Sequence, residues 1–265
     1  MLDLEFAELS HPGKIREHNE DFVGHAIPAS PDEAKAHGWL FALADGVGGH
    51  EMGEVASRLA VETLLSGFRD FRPNETPTGC LQRLMQAANL KVLEAATATH
   101  GNSSMSTTLI ACLLRYDHLT VAHIGDSRCY LIRRGHATQL THDHTLVSEQ
   151  VRLGLLSEAE AAESEQRHLL SRSVGSQTVV STEIDEHELL PGDVLMLSSD
   201  GLHGCLSSRE IAALVGKFHN LEEAAQALIS TACEKDGGDN VTVQIIRVKG
   251  VERMGMYRGR PYRRP

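Results

Sequence analysis

Hydrophobic positions along the chain recur with two periods, and the switches between them predict the elements. Over residues 54–68, Val55, Leu59, Val61, Leu64, Leu65 and Phe68 follow helical spacing and form one apolar face. Leu81, Leu84, Met85, Ala88, Val92 and Ala95 do the same over residues 81–96. Shorter helices are expected over 146–153, 158–162, 209–215 and 221–233. The strand signals are compact. An apolar run over 39–44 ends at Asp45-Gly46, and residues 106–115 read as one buried strand. Tyr116-Asp117-His118 predicts a turn and 119–124 a returning strand. Gly125-Asp126 predicts the next turn, with further strands over 128–133, 194–197 and 241–248. Hairpins separated by helix pairs predict an α+β fold with largely antiparallel sheets.

Composition narrows the function classes. The chain has 265 residues, 41% hydrophobic and 23% charged, enough for one soluble domain with a real core. One Trp, four Tyr and six Phe leave that core mostly aliphatic. Lys and Arg total 25 against 36 acids, a net charge of -11, which argues against a general nucleic-acid binder and leaves open a protein whose acidic groups hold cations. No apolar run approaches the ~20 residues of a membrane span. The N-terminal residues lack the basic and apolar regions of a signal peptide. Cys80, Cys112, Cys129, Cys205 and Cys233 are scattered, so neither a disulfide scaffold nor a structural zinc site is expected. The expected location is cytoplasmic. No cysteine-based phosphatase loop, His-Glu-x-x-His or phosphate-binding Gly-x-x-x-x-Gly-Lys motif occurs. Residues 250–265 carry five arginines and one acid, and are expected to form a basic, disordered tail after a domain spanning 1–249.

The informative acids sit where apolar strands end, beside glycine or a small polar residue. They are Asp45, Asp126, Asp200 and Asp239, joined by the Asn19-Glu20-Asp21 triplet and Arg16. Each alone reads as an ordinary turn; their joint occurrence does not. Two unit charges 4 Å apart repel by roughly 4 kcal/mol at an effective dielectric of 20. Convergent carboxylates must therefore be protonated or neutralised by cations. All-oxygen ligation suits Mg²⁺ or Mn²⁺. A pair of such ions can lower the pKa of a shared water, and Arg16 can grip a phosphate.

Eight motifs occur in order: Arg16-x-x-Asn19-Glu20-Asp21, Asp45-Gly46-Val47-Gly48-Gly49-His50, Ser106-Thr107-Thr108, Gly125-Asp126-Ser127-Arg128, Asp143-His144-Thr145, Ser171-Arg172-Ser173-Val174-Gly175, Ser199-Asp200-Gly201-Leu202 and Asp239-Asn240-Val241-Thr242. Together they resemble the metal-dependent Ser/Thr protein phosphatases of the PPM (type 2C) family, in their compact bacterial form. The resemblance implies an α/β/β/α sandwich with metals at one end of the paired sheets. It implies that Asp45 bridges two Mn²⁺ or Mg²⁺ ions, with Glu20 and the Gly46 carbonyl on one and Asp200 and Asp239 on the other. Asp126, with Asp200, matches a third metal site. Asp21 would orient a metal-bound water and Arg16 would bind the substrate phosphate. The implied reaction is in-line attack of a metal-bridging hydroxide on phosphoserine or phosphothreonine.

Two departures stand out. Val47 occupies the place of a His proposed as general acid in animal relatives; His50 is the remaining candidate there, with loop capping as the competing reading. Residues 143–172 resemble the mobile flap beside the active site, but Ser164-Glu165-Gln166-Arg167-His168 replaces the His-Pro and Arg-Asn pattern of bacterial relatives. The resemblance further implies phosphoprotein substrates made by a cognate Ser/Thr kinase, a monomer, and neither nucleic-acid nor membrane partners. A catalytically inactive phosphoprotein-binding regulator and a small-phosphoester hydrolase are the alternatives. His142 and His144 also form a His-x-His pair of transition-metal spacing, against which stands a packing role for His144.

Overall fold

A computed structural model describes residues 2–47, 52–70, 75–98, 105–252, 254–257 and 260–263. Strand β1 (Asp3–His11) leads through β2 (Asp21–Ala26) and a short α1 (Pro31–Ala36) to β3 (Trp39–Val47). Helices α2 (Gly53–Phe68) and α3 (Pro77–Ala98) follow. Next come β4 (Ser106–Thr107), β5 (Leu109–Arg115), β6 (His118–Ile124), β7 (Arg128–Arg133) and β8 (His136–Gln139). Helices α4 (Leu146–Arg152) and α5 (Glu158–Glu163) precede β9 (Glu183–Glu188) and β10 (Val194–Ser198). Helices α6 (Asp200–His203), α7 (Ser208–Lys217) and α8 (Leu221–Lys235) lead to β11 (Val241–Gly250), then β12 (Met254–Tyr257) and β13 (Arg260–Arg263).

Two antiparallel sheets result, in the orders β1-β11-β10-β7-β8 and β2-β3-β5-β6-β9, with β4 added to β3. Their facing sides bury Phe41, Leu43, Ile110, Val121, Leu195 and Ile246 as a central core. Helices α2 and α3 cover the second sheet through Ala60, Leu64, Leu84 and Met85. Helices α7 and α8 cover the first through Ile211, Val215, Leu228 and Ile229. The architecture is the expected α/β/β/α sandwich. Val55, placed on the apolar face of α2 by spacing, is 40% exposed, while Ala56 and Ala60 are fully buried. Small side chains let this helix approach the sheet closely.

Register brings one set of strand ends together. Asp21 lies opposite Asp45, Leu43 opposite Ile110, and Leu109 opposite Ile124. In the other sheet Ser198 faces both Arg128 and Val243, and His11 faces Val241. The β6–β7 turn and the β1–β2 loop both cross between the sheets at this end. They carry Asp126, Arg16 and Glu20.

Several expectations require correction. The strand expected to stop before Asp45-Gly46 runs on to Val47, because Gly46 and Val47 pair with β4. The single strand expected over 106–115 is split at Thr108: its N–H still donates to the in-register Asp45 carbonyl (2.9 Å), but the Asp45 N–H donates to Thr108 Oγ1 (2.9 Å) in place of the Thr108 carbonyl. The tail expected to lack structure forms a hairpin in which Met254 pairs with Arg263 and Tyr257 with Arg260.

Fully buried Asn89 on α3 anchors the chain after residue 172. Its Oδ1 accepts from the Gly175 N–H (2.8 Å) and its Nδ2 donates to the Gln177 carbonyl (2.9 Å). Asn89→Leu keeps the volume and removes both partners. Urea unfolding is expected to show a loss of about 2–3 kcal/mol.

Candidate active site

Twelve residues enclose a cleft of about 280 Å³ at the shared sheet end: Arg16, Glu20, Asp45, Gly46, Val47, Thr108, Asp126, His168, Leu170, Asp200, Asp239 and Asn240. All the candidate ligands named from sequence are among them. Asp21 lies directly behind, opposite Asp45 in the β2–β3 ladder. Residues opposite each other in an antiparallel pair share a face, so the pairing itself forces two carboxylates together.

The surrounding backbone is tightly held. The Asp45 N–H donates to Thr108 Oγ1 (2.9 Å), and the Asp45 carbonyl accepts from Thr107 Oγ1 (2.7 Å). Gly46 has no room for a side chain: a Cβ would lie 2.4 Å from the Gly53 carbonyl oxygen and 2.8 Å from that of Glu20. Asp200 opens α6 directly after Ser199. The Ser199 hydroxyl donates to Asp21 Oδ2 (2.7 Å) and accepts from the Thr242 N–H (2.9 Å).

Three placements were not legible in the motifs. Asn240 organises the whole β1–β2 loop: its Oδ1 accepts from the Glu20 N–H (2.8 Å), and its Nδ2 donates to the carbonyls of Pro12 (3.0 Å) and His18 (2.9 Å). Its adjacency to Asp239 was the only available signal. His168 enters the cleft from the flap segment, with Nδ1 3.8 Å from Asp200 Oδ2. Arg16 donates to Asp239 Oδ2 (3.0 Å), so a candidate phosphate ligand and a candidate metal ligand are paired. His50 lies outside the described residues.

Comparison with known proteins shows the family. The sequence profile of the family described as Protein phosphatase 2C matches residues 13–241. The chain belongs to the protein phosphatase 2C family. It is 32% identical over 252 residues to the serine/threonine phosphatase Stp of Listeria innocua, covering 94% of this chain and 95% of that protein. The S. agalactiae serine/threonine phosphatase structure superposes with a TM-score of 0.85 at 33% identity, over 93% of this chain and all of that one. A catalytic domain of the serine/threonine phosphatase PstP, solved in complex with two manganese ions, gives 0.81 at 33% identity, over 94% of this chain and all of that one.

The donor set of this family member can be tested for fit to hard cations. Burial, then the charges of Asp21, Asp200, Asp126 and Asp239, hold the Asp45 carboxyl well above its ordinary value. Burial pushes Asp21 and Asp126 up to about 7, against the Ser199 bond in the first case and with Asp200 and Asp143 adding in the second. Glu20 is raised by burial despite Arg16. For Asp200, burial is outweighed by His168 and by the hydrogen bond from Asp45, so its carboxyl is lowered. Asp21 Oδ1 is buried without a hydrogen-bond partner. Such a cluster of oxygen donors, stable alone only by retaining protons, fits divalent Mg²⁺ or Mn²⁺.

A second group, His123, His144 and Glu183, has ligand-type atoms close enough for a cation. Its rings are stacked 4.6 Å apart at 14°, so their in-plane lone pairs do not converge. His144 Nδ1 already accepts from the Gly125 N–H, and His123 Nε2 faces the His142 carbonyl (2.8 Å). His142, the other half of the pair read from sequence, is not in this group, and the expected packing or bonding role for His144 fits better than a transition-metal pair.

A pH dependence follows. Asp21 and Asp126 keep protons in the folded, cation-free protein up to about pH 7, while the unfolded chain releases them near 3.8. Their contribution to stability falls as pH rises between those values. Bound cations displace the protons. Mn²⁺ at 100 times its Kd is expected to raise the melting temperature by about 5–10 °C at pH 7.5, and by clearly less at pH 5.5. Differential scanning fluorimetry with Mn²⁺ and with EDTA at both pH values checks this.

Proposed function

We infer that this chain is a protein-serine/threonine phosphatase that hydrolyses phosphoserine and phosphothreonine using divalent cations. The observation that carries the reading is the convergence of Glu20, Asp45, Asp126, Asp200, Asp239 and Arg16 on one cleft in a member of this family. We assign Glu20, Asp45, the Gly46 carbonyl, Asp200 and Asp239 to two core Mn²⁺ or Mg²⁺ ions. Asp126 with Asp200 is assigned to a third. Bound there, the ions would supply a water made nucleophilic near neutral pH and positive charge for the phosphoryl oxygens.

The chain's own groups then have defined tasks. Arg16 is half exposed and its guanidinium is paired with Asp239. An incoming phosphate competes for that guanidinium, which can bind two oxygens at once. Asp21 is oriented through Oδ2 by Ser199, which leaves Oδ1 to accept a hydrogen bond from a water in the cleft. Thr107 and Thr108 fix the Asp45 backbone so that the carboxylate does not swing. Within a domain spanning residues 1–249, residues 143–172 act as the flap, and place His168 and Leu170 beside the reacting phosphate. All the assigned ligands come from one chain, which supports action as a monomer. The substrates are phosphoproteins made by a Ser/Thr kinase in the same cytoplasmic compartment. Among the described residues no helix is long and apolar enough to cross a membrane.

The complete carboxylate set favours an active enzyme over a phosphoprotein-binding relative. Hydrolysis of p-nitrophenyl phosphate and of a phosphothreonine peptide is expected with Mn²⁺ or Mg²⁺ and not with EDTA. Asp45→Asn and Asp239→Asn should each lower kcat about 10³-fold. Arg16→Ala should act mainly on KM, by about tenfold. Turnover of the small ester alone would instead favour a small-phosphoester hydrolase, and no metal-dependent turnover would refute the enzyme.

A further inference from the structure

The two ends of the flap segment meet beside His144. Thr145 and Leu170 form an antiparallel bridge. Next to it, the Leu146 N–H donates to the Leu169 carbonyl (2.8 Å) and the Ser171 N–H donates to the His144 carbonyl (2.8 Å). Both ends of the flap are thus zipped together at His144. His144 in turn grips the β6–β7 turn twice. Its N–H donates to the Gly125 carbonyl (3.0 Å), and its Nδ1 accepts from the Gly125 N–H (3.1 Å).

That turn has no freedom to follow the flap passively. Gly125 has φ +106°, and a Cβ there would lie 2.6 Å from Thr108 Cβ. Thr108 shares a hydrogen bond with Ser127 (2.7 Å) and accepts the Asp45 N–H. A continuous set of contacts therefore runs from Asp45 through Thr108, Gly125 and His144 to Leu170 and His168. The last two line the cleft. The imidazole is itself fixed. Accepting at Nδ1 leaves the proton on Nε2, which faces Glu183 Oε2 (3.3 Å), and the ring is buried and stacked on His123. Behind the joint lies a cavity of about 910 Å³ lined by Arg128, Glu149, Arg152 and Arg172 among others. Each of these arginines is already paired, with Asp143 or Glu149. The cavity lies at the flap root and none of these three arginines is uncommitted.

We propose that His144 is a positioning residue for phosphopeptide substrates: through its two bonds to Gly125 it sets the flap against the carboxylate cleft, so that His168 and Leu170 meet the peptide flanking the phosphate. This rests on the phosphatase reading above. A small ester carries no flanking chain and does not need the flap.

The test compares His144→Leu, His144→Asn and His144→Gln in the full chain with Mn²⁺. Asn places Oδ1 where Nδ1 stands and can accept the Gly125 N–H. Gln reaches towards Glu183 and cannot. His144→Leu is expected to raise KM for a phosphothreonine peptide about tenfold, to leave p-nitrophenyl phosphate turnover within about twofold, and to speed hydrogen exchange over residues 146–170. Asn should restore the peptide KM and the slow exchange; Gln should not. Equal losses on both substrates, an unchanged peptide-to-ester ratio, or rescue by Gln as good as by Asn would overturn the proposal. If the Leu variant does not fold, the Asn–Gln pair decides alone. If the unmodified chain hydrolyses neither substrate, the phosphatase reading fails, and the exchange measurement still decides whether His144 holds the flap.

Discussion

Asp21 and Asp45 face each other across adjacent antiparallel strands, and much of the cleft is a response to that pairing. Like charges directly opposite on one face are unfavourable. The register cannot slip to relieve them, because a one-residue shift would turn Phe41 and Leu43 out of the core between the sheets. The apolar pattern of β3 therefore imposes the carboxylate pair. Ser199 donates to one member, Thr107 and Thr108 clamp the backbone of the other, and both carboxyls rise in pKa. A site assembled this way favours cation binding before any substrate arrives.

The sandwich supplies the rest by bringing strand ends together. Antiparallel order makes β3, β6 and β10 end, and β11 begin, at one edge of the two sheets. Only connections that cross between sheets at that edge can reach the cleft from both sides. The β1–β2 loop does so with Arg16 and Glu20, pinned by Asn240. The β6–β7 turn does so with Asp126. The flap then rises from the same turn through His144, so metal ligands and substrate-facing surface share one support.

Much of this was legible in the residues. Long helices such as α2 and α3 declare themselves by a 3.6-residue period, and β7 by its compact apolar run. Acids at strand ends pointed to the cleft because no surface acid needs that position. What escaped was local polarity overruled by tertiary pairing. Strand β1 is amphipathic but interleaves Glu5 and Glu8 among its apolar residues, and gains its structure from β11 alone. Strand β9 is mostly acidic and is a strand only because β6 pairs with it. Thr108 breaks a run that looks continuous, since its side-chain hydroxyl, not its carbonyl, accepts the Asp45 N–H.

By itself, the sequence determined the α+β class, the acids and arginine that carry the chemistry, and the family. These follow from periodicity and from residue types, which are local properties. The tertiary structure decided which groups meet: Arg16 with Asp239, His168 with Asp200, Asn240 with three backbone groups of the β1–β2 loop, and His144 with Gly125. Such contacts span from about twenty to more than two hundred residues of chain, and a residue's type says what it can bond but not what the packed sheets will bring within reach.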